Sequence, residues 1–178
     1  LDLDGFKNVN DTLGHHVGDM MLKEAAQRIK NCLRECDFVG RLGGDEFAAL
    51  LVDIQSPQAI GVIAQRVIEA MEAPFHIEQH EIFTSTSMGV ALFPDDGQDV
   101  SDLLRKADMA LYQAKEQGKR AYVFFAEDFE ARNLLRVDME TLLRGAERRG
   151  ELRLVYQPKI DTATRRVVGA EALLRWQH

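Results

Sequence analysis

The segment that most constrains the fold of this chain is residues 41–47, Arg-Leu-Gly-Gly-Asp-Glu-Phe, in which two acids directly follow two glycines. The flanking residues 38–42 and 47–52 are typical of strands, and a Gly-Gly pair between them favours a tight hairpin turn with positive φ angles. Without a Cβ, these glycines would let a phosphate approach the backbone, and the neighbouring carboxylate could hold a divalent cation. The alternative is an ordinary surface hairpin with solvated acids.

The acidic composition limits the kinds of partner that this chain can bind. Its formal net charge is -7 over 178 residues, which disfavours general binding to nucleic acid backbones or to anionic membranes. A nucleotide would therefore need a local site. No apolar segment in this span approaches the roughly 18 residues of a membrane helix, and none has the form of a signal peptide. We expect this span to lie in the cytoplasm, either as part of a cytoplasmic protein or as the cytosolic part of a membrane-anchored one.

Helix and strand signals alternate along most of the sequence. Apolar residues at helical spacing predict helices over residues 6–13, 18–33, 56–71 and 101–117. Strands are predicted over residues 75–77, 82–93 and 122–125, in addition to the hairpin. Gly14 separates the first two helices, Ser56 before Pro57 predicts an N-cap, and Gly118 predicts a C-cap. The pattern predicts an α/β (α+β) domain with a mixed sheet flanked by helices.

The character of the sequence changes after residue 126, where a charged amphipathic segment is followed by two strand-like segments around a polar turn. The predicted helix spans residues 129–149, and the predicted strands span 152–160 and 167–176. Residue 1 is Leu within an alternation typical of the tail of a strand, and the last strand lacks a stop signal, so we expect a fragment of a longer protein. The predicted divisions are a first domain over 1–126, a linker helix over 127–150, and the truncated start of a second domain over 151–178.

Two acids in the first strand indicate a cation site. Asp2 and Asp4 share one face of this strand, because side chains alternate between faces with a period of two. If the first strand lies beside the hairpin in the sheet, one of the two acids can share a metal ion with Asp45. The alternative is that both are ordinary acids at the end of a strand and face the solvent.

A second polar set follows the first strand and offers a cation, amides and acids at short spacing. Its members are Lys7, Asn8, Asn10, Asp11, His15, His16 and Asp19. This set suits guanine, because a carboxylate accepts hydrogen bonds from the N1 and N2 protons that adenine lacks, and an unpaired buried acid penalises the wrong base. The alternative is helix capping, which Asn and Asp also favour.

Together these segments resemble the GGDEF family of diguanylate cyclases over residues 1 to about 126. The matching segments are Leu1-Asp2-Leu3-Asp4-Gly5-Phe6-Lys7, Asn10-Asp11, Gly14-His15, Gly18-Asp19, the hairpin at 41–47, and Ala114-Lys115-Glu116-Gln117-Gly118-Lys119. The resemblance implies a fold like that of the nucleotidyl cyclases and the polymerase palm, with the hairpin over the active site. It also implies the condensation of two GTP molecules into cyclic di-GMP, with release of pyrophosphate, by two domains that meet as a homodimer.

The resemblance also implies a role for individual residues. The positions that bind Mg²⁺ or Mn²⁺ are Asp2, the main-chain carbonyl of Leu3, and Asp45. The positions that read guanine are Asn10 and Asp19, with a further substrate contact at His15. The positions that hold phosphates are Lys7, Lys115 and Lys119, the last of which is more often Arg in the family. The catalytic set is Asp45, which orients or deprotonates the attacking hydroxyl, with Glu46 and Arg41.

A regulatory site is implied in the same way. Arg34-Glu35-Cys36-Asp37 fits the RxxD motif, at which the product cyclic di-GMP binds and holds the two domains apart. The implied contacts are Arg34 and Asp37, with Arg66 contributing from the neighbouring helix. The alternative for Arg34 and Asp37 is a chance match, because Arg and Asp three residues apart are common. The alternative for Arg66 is an ordinary solvated arginine on a helix.

The carboxyl end resembles the start of an EAL domain, a barrel phosphodiesterase that linearises cyclic di-GMP. By that resemblance Glu171 is a metal ligand, and Gln157 and Arg175 contact the substrate. The remaining ligands of such a site would lie beyond residue 178, so no phosphodiesterase activity is expected from this span. Two functions stay open for the first domain: a cyclase, favoured because every signature acid is present, or a weakly catalytic GTP-binding module that regulates an EAL phosphodiesterase. A structural domain without a nucleotide would require every match to be accidental.

Overall fold

In a computed structural model of this chain, helices and strands alternate over the described residues, which are 1–54, 56–127, 129, 139 and 142–177. The strands are β1 (Asp2–Asp4), β2 (Phe38–Gly43), β3 (Glu46–Leu50), β4 (Phe75–Ile77), β5 (His80–Ile82), β6 (Ser85–Val90), β7 (Tyr122–Phe124), β8 (Leu152–Ile160) and β9 (Val167–Trp176). The helices are α1 (Phe6–Leu13), α2 (His15–Asn31), α3 (Pro57–Glu72) and α4 (Val100–Glu116). Contacts divide the chain into two units, Leu1–Phe129 and Glu130–His178.

The first unit is built on a five-stranded sheet in the order β2-β3-β1-β6-β7. Strand β1 lies in the middle, antiparallel to β3 on one side and to β6 on the other, while β6 and β7 run parallel. The register sets Asp2 opposite Glu46 of β3 and opposite Ser87 of β6. The predicted mixed sheet is therefore confirmed, and the first strand lies beside the hairpin.

The two faces of the sheet are covered by different helices. Leu3 points away from the acids of β1 into the main core, where it is 1% exposed among side chains of α2, α3 and β4. On the opposite face, α4 packs against β6 so closely that a Cβ added to Gly89 would overlap the backbone of Ala107 and Leu111. This close approach brings the carboxyl end of α4 to the face that carries Asp2.

Three local predictions differ from the structure. Residues 82–93 are not one strand, because Ile82 ends β5 in a two-stranded sheet with β4, whereas Ser85 begins β6 in the main sheet. Helix α2 begins three residues earlier than predicted, at His15. Ser56 precedes α3 without a side-chain capping bond, while α4 has a capping bond that was not predicted, from the amide of Asp102 to Asp99.

The second unit contains an antiparallel pair, β8 and β9, whose bounds are those predicted from the sequence. Most of the predicted linker helix lies outside the described residues, although residues 142–146 are helical. Across the described part of the chain, no helix combines the length and the apolar character needed to cross a membrane.

Candidate active site

The hairpin turn is tighter than the sequence predicted. Gly43 still belongs to β2 and pairs with Glu46, so the turn itself consists of Gly44 and Asp45, and of the two glycines only Gly44 has a positive φ, 49°. The expectation of two left-handed glycines is therefore wrong, because strand pairing extends through Gly43. A Cβ at either glycine would meet no atom within 4 Å, which leaves the turn backbone open to a ligand. The Arg41 side chain closes the turn by donating from Nε to the Gly44 carbonyl at 2.8 Å.

Backbone hydrogen bonds join this turn to the central strand. The Leu3 amide donates to the Asp45 carbonyl at 3.4 Å, and the Phe47 amide donates to the Leu1 carbonyl at 3.0 Å. Asp45 is half-buried and lies next in sequence to Glu46, the residue opposite Asp2. Pairing in the sheet therefore brings the two predicted metal-binding carboxylates to adjacent backbone positions, although they are 43 residues apart in the chain.

The Asp2 carboxylate forms an ion pair with a lysine from the far end of the unit. Asp2 is 8% exposed, and its Oδ2 atom lies 2.7 Å from Nζ of Lys115 in the last turn of α4. The main-chain carbonyl of Asp2 accepts a hydrogen bond from the Thr86 hydroxyl at 2.8 Å. A buried carboxylate is costly unless it is paired, and here the ammonium group supplies the positive charge.

Asp4 is on the same face as Asp2 but has different partners. Its two carboxylate oxygens accept hydrogen bonds from the hydroxyls of Ser85 at 2.6 Å and Ser87 at 2.9 Å. These serines were missed from the sequence, where they lie in a segment interpreted as one continuous strand. Asp4 is therefore bound by neutral hydroxyl donors, whereas Asp2 is bound by a cation.

The donor atoms around Asp2 suit a magnesium or manganese ion that is shared with a nucleotide. Among the described residues, no group of three or more His, Cys, Asp and Glu side chains could hold a metal ion by itself. Mg²⁺ is usually held by one or two carboxylates, with phosphate and water oxygens completing its shell. Asp2, Asp45 and the Leu3 carbonyl offer such an incomplete set, and the ammonium on Asp2 marks the position as one that accepts a cation. The residues therefore fit the group.

The predicted guanine-reading residues lie where α1 and α2 pack together. Asn10 is half-buried, and a Cβ on Gly18 would overlap its Oδ1 atom and come within 3.2 Å of the Phe6 ring. Glycine at position 18 therefore makes room for the Asn10 amide, a role that the sequence alone did not reveal. Asp19, the next residue, is exposed, so both polar groups lie at the same end of α2.

A groove of about 390 Å³ runs between α2 and the hairpin, and its lining includes Asp19, Lys23, Arg41 and Phe47. This volume falls within the range of about 300–1,000 Å³ for small-molecule sites. Lys23 was not predicted as a site residue, although its spacing of four residues from Asp19 on α2 places both on one helix face. The groove connects the predicted base-reading acid with the signature hairpin.

The predicted substrate contacts Lys7, His15 and Lys119 are exposed side chains. Lys7 lies on α1, His15 is the first residue of α2, and Lys119 follows α4 with a positive φ of 66°. Their roles remain predictions. The sequence could suggest them only by resemblance, because an exposed side chain leaves no packing signal.

The three residues of the predicted inhibitory site lie near the carboxyl end of α2. The Asp37 carboxylate accepts hydrogen bonds from the backbone amides of Arg34 at 3.0 Å and Val52 at 3.2 Å. The Arg66 side chain reaches from α3 to donate to the main-chain carbonyl of Cys32. Asp37 therefore also stabilises its own turn, whatever it binds.

In the second unit, the three predicted EAL residues share one face of the β8–β9 pair. Gln157 lies directly opposite Glu171. Arg175 lies opposite Arg153, and Arg153 is on the same face as Gln157 because the two are an even number of positions apart along β8. Lys159 Nζ lies 3.8 Å from a carboxylate oxygen of Glu171.

Comparison with known proteins gives a consistent result. The profile described as "Diguanylate cyclase, GGDEF domain" matches residues 1–121. The chain is 43% identical over 178 residues, its full length, to the bifunctional diguanylate cyclase/cyclic di-GMP phosphodiesterase MucR of Pseudomonas aeruginosa, of which it covers 26%. It is 40% identical over 177 residues, 99% of the chain, to the cyclic di-GMP phosphodiesterase PdeR of Escherichia coli, again covering 26% of that relative.

Solved structures are also similar to this chain. The crystal structure of the GGDEF domain of YfiN from Pseudomonas aeruginosa superposes with a TM-score of 0.68 at 42% identity, over 70% of this chain and 78% of that one. The chain spans about a quarter of the length of the two curated relatives.

Proposed function

Because this chain belongs to the GGDEF domain family of diguanylate cyclases, we propose that its first unit condenses two GTP molecules into cyclic di-GMP with release of pyrophosphate. The observation that carries the proposal is the buried Asp2 carboxylate, which lies opposite the residue after Asp45 and is paired with Lys115. A carboxylate that is buried beside an open glycine turn and already pairs with a cation suits metal-assisted phosphoryl transfer.

Substrate recognition is divided between two parts of the unit. Asn10 and Asp19 read the guanine edge at the junction of α1 and α2, and His15 adds a further contact there. The phosphates extend toward the hairpin, where Gly43 and Gly44 let them approach the backbone. The lysines that hold them are Lys7, Lys115 and Lys119. The base-reading acid gives selectivity for GTP, because it would stay unpaired against adenine.

The reaction follows from this arrangement. The 3′-hydroxyl of one GTP attacks the α-phosphorus of another and expels pyrophosphate, and the reciprocal attack then closes the ring. Asp45 orients the hydroxyl and accepts its proton, with Glu46 beside it, while Arg41 supports the charge that develops at the phosphoryl group. Asp2, Asp45 and the Leu3 carbonyl would hold a divalent cation, which would supply neutralisation of the phosphate charge and activation of the hydroxyl.

Two copies of the unit must meet for this chemistry, since each holds one GTP. An approximately two-fold arrangement brings each 3′-hydroxyl to the opposite α-phosphorus. The product can then bind at Arg34, Asp37 and Arg66 and keep the units apart, which would limit its own synthesis. Because the substrate is GTP, the reaction belongs in the cytoplasm.

A second candidate function is a GTP-binding module that regulates a phosphodiesterase. It is favoured by the similarity to PdeR, whose name gives only phosphodiesterase activity and which matches 99% of this chain. In this case β8 and β9 are the start of an EAL domain, with Glu171 as a metal ligand and Gln157 and Arg175 as substrate contacts. GTP bound in the first unit would then change the rate of hydrolysis without itself being consumed.

One experiment separates the two functions. The full-length protein is incubated with GTP and Mg²⁺, and both cyclic di-GMP and its linear product are quantified for the natural protein, Asp45→Ala and the control Asp95→Ala. Asp95 is an exposed acid in the loop before α4. A cyclase makes product that Asp45→Ala abolishes and Asp95→Ala retains. A folded protein that binds GTP and makes no cyclic product, even when hydrolysis is blocked, would refute the cyclase proposal.

A further inference from the structure

The pairing of Lys115 with Asp2 has a consequence for how the site is loaded. The side chain of Asp2 is 12% exposed and that of Lys115 is 34% exposed, and the ammonium nitrogen lies 2.7 Å from Oδ2. Asp2 is a predicted metal ligand, whereas Lys115 is a predicted phosphate contact. In this structure the two groups are bound to each other.

A metal ion and the ammonium group cannot both bind the same carboxylate oxygen at close range, because like charges a few ångströms apart repel strongly in a partly buried site. We propose that Lys115 is a resident counter-cation of Asp2 that a divalent metal ion displaces, and that the displaced ammonium then binds the phosphates arriving with the metal. This inference rests on the proposed function of the site. It adds a regulatory role to Lys115, since one residue then couples the binding of two ligands.

The structure favours a movement of the lysine side chain rather than of the backbone. Asp2 is fixed by strand pairing on both sides and by the Thr86 hydroxyl on its carbonyl. Helix α4 is held against β6 at Gly89, where no Cβ separates the two backbones. The lysine itself has a flexible four-carbon stem and partial exposure at the end of α4, so its ammonium can leave Asp2 while the helix stays in place.

Displacement makes metal and nucleotide binding cooperative. Without a nucleotide, the metal must break the ion pair and leave the ammonium without an anionic partner. With a triphosphate present, the ammonium exchanges one anion for another, so the metal binds more tightly. Because linkage is reciprocal, the metal strengthens nucleotide binding by the same factor.

The test is the affinity for Mn²⁺, measured by the electron paramagnetic resonance signal of free Mn²⁺ in the full-length protein. Binding that survives Asp2→Asn is subtracted as background, which removes metal sites elsewhere in the protein. Without nucleotide, Lys115→Met should bind Mn²⁺ about fivefold or more tightly than the natural protein, the lower end of typical coupling between sites. A non-hydrolysable GTP analogue with an α,β-methylene bridge should raise the Mn²⁺ affinity of the natural protein, and this gain should be smaller in Lys115→Met.

Lys30→Met is the matched control. It removes the same charge from an exposed lysine on α2 that has no proposed role in the site, and it should leave the nucleotide-free Mn²⁺ affinity unchanged. Unchanged or weaker Mn²⁺ binding by Lys115→Met would overturn the inference, as would an equal gain in both variants. If Lys115→Met does not fold, Lys115→Gln is used, with the rise in Tm on adding Mn²⁺ as the readout, which should exceed that of the natural protein.

These outcomes are separate from those that test the cyclase. A protein that makes no cyclic di-GMP can still show the Mn²⁺ effect, in which case the proposed function fails and the counter-cation role stands. If Asp2→Asn instead binds as much Mn²⁺ as the natural protein, Asp2 holds no metal ion and the inference is refuted.

Discussion

Gly18→Ala should weaken GTP binding more than it weakens the fold. An alanine Cβ at this position overlaps Oδ1 of Asn10 and lies 3.2 Å from the Phe6 ring. The Asn10 side chain is only half-buried, so it can rotate away from α2 into solvent. The substitution therefore displaces the Asn10 amide, which we propose reads guanine, without changing that residue itself.

The two effects on stability oppose each other. Alanine is favoured over glycine inside a helix by about 1 kcal/mol, whereas overpacking typically costs about 1–3 kcal/mol. We expect the free energy of unfolding to fall by no more than about 2 kcal/mol, which urea denaturation measures. Displacement of Asn10 removes one base contact, worth about 1–1.5 kcal/mol, which corresponds to about a 5- to 13-fold loss of GTP affinity.

Calorimetric titration with GTP and with ATP, in the presence of Ca²⁺ in place of Mg²⁺, checks this prediction. The affinity for GTP should fall. The affinity for ATP should change little, because adenine does not bind the Asn10 amide in the same way. Gly169→Ala is the control, because a Cβ at Gly169 in β9 meets no atom within 4 Å and the residue is not part of the groove lining. If folded Gly18→Ala binds GTP as tightly as the natural protein, the position of Asn10 does not matter for recognition and the assignment is refuted.

Three further predictions concern other parts of the first unit. Gly89→Ala should lower the free energy of unfolding by about 1–3 kcal/mol or more, because its Cβ overlaps the backbone of α4; an unchanged urea midpoint would contradict this packing. At neutral pH a maleimide should label the exposed Cys36 and leave Cys32 unlabelled, because burial raises the pKa of the Cys32 thiol and the residue is 5% exposed; equal labelling by peptide mass spectrometry would be inconsistent with this burial. Arg34→Ala should relieve inhibition by added cyclic di-GMP without loss of stability, whereas Asp37→Ala should also lower stability by about 1 kcal/mol because its carboxylate accepts two backbone amides; equal stability of the two variants would argue against that bonding.

The elements that were predicted well are those with strong local signals. Helix α1 has the predicted bounds because Gly14 ends it, and β8 and β9 have theirs because long apolar segments flank a polar turn. The segment 82–93 was predicted poorly, since its division between two sheets depends on strand partners that lie far away in the chain. Local periodicity carries no information about those partners.

In the candidate site, too, local spacing predicted some features, whereas others depend on contacts between residues that are far apart in the chain. Spacing alone placed Asp2 and Asp4 on one face, and the sheet confirms this. The difference between them arises from serines about 80 residues later and from a lysine at position 115, which only the folded chain brings together. The resemblance named Lys115 as a phosphate contact, but its ion pair with Asp2 could not be predicted from the sequence.

The most direct test of the central claim is the ratio of pyrophosphate to cyclic di-GMP formed by the full-length protein with GTP and Mg²⁺. Condensation of two GTP molecules predicts two pyrophosphates for each cyclic di-GMP, with both products lost in Asp2→Asn. Linear product formed by an associated hydrolase is counted together with the cyclic form. GTP that is bound by the folded protein and recovered intact, with no pyrophosphate released, would contradict the account and favour the regulatory module.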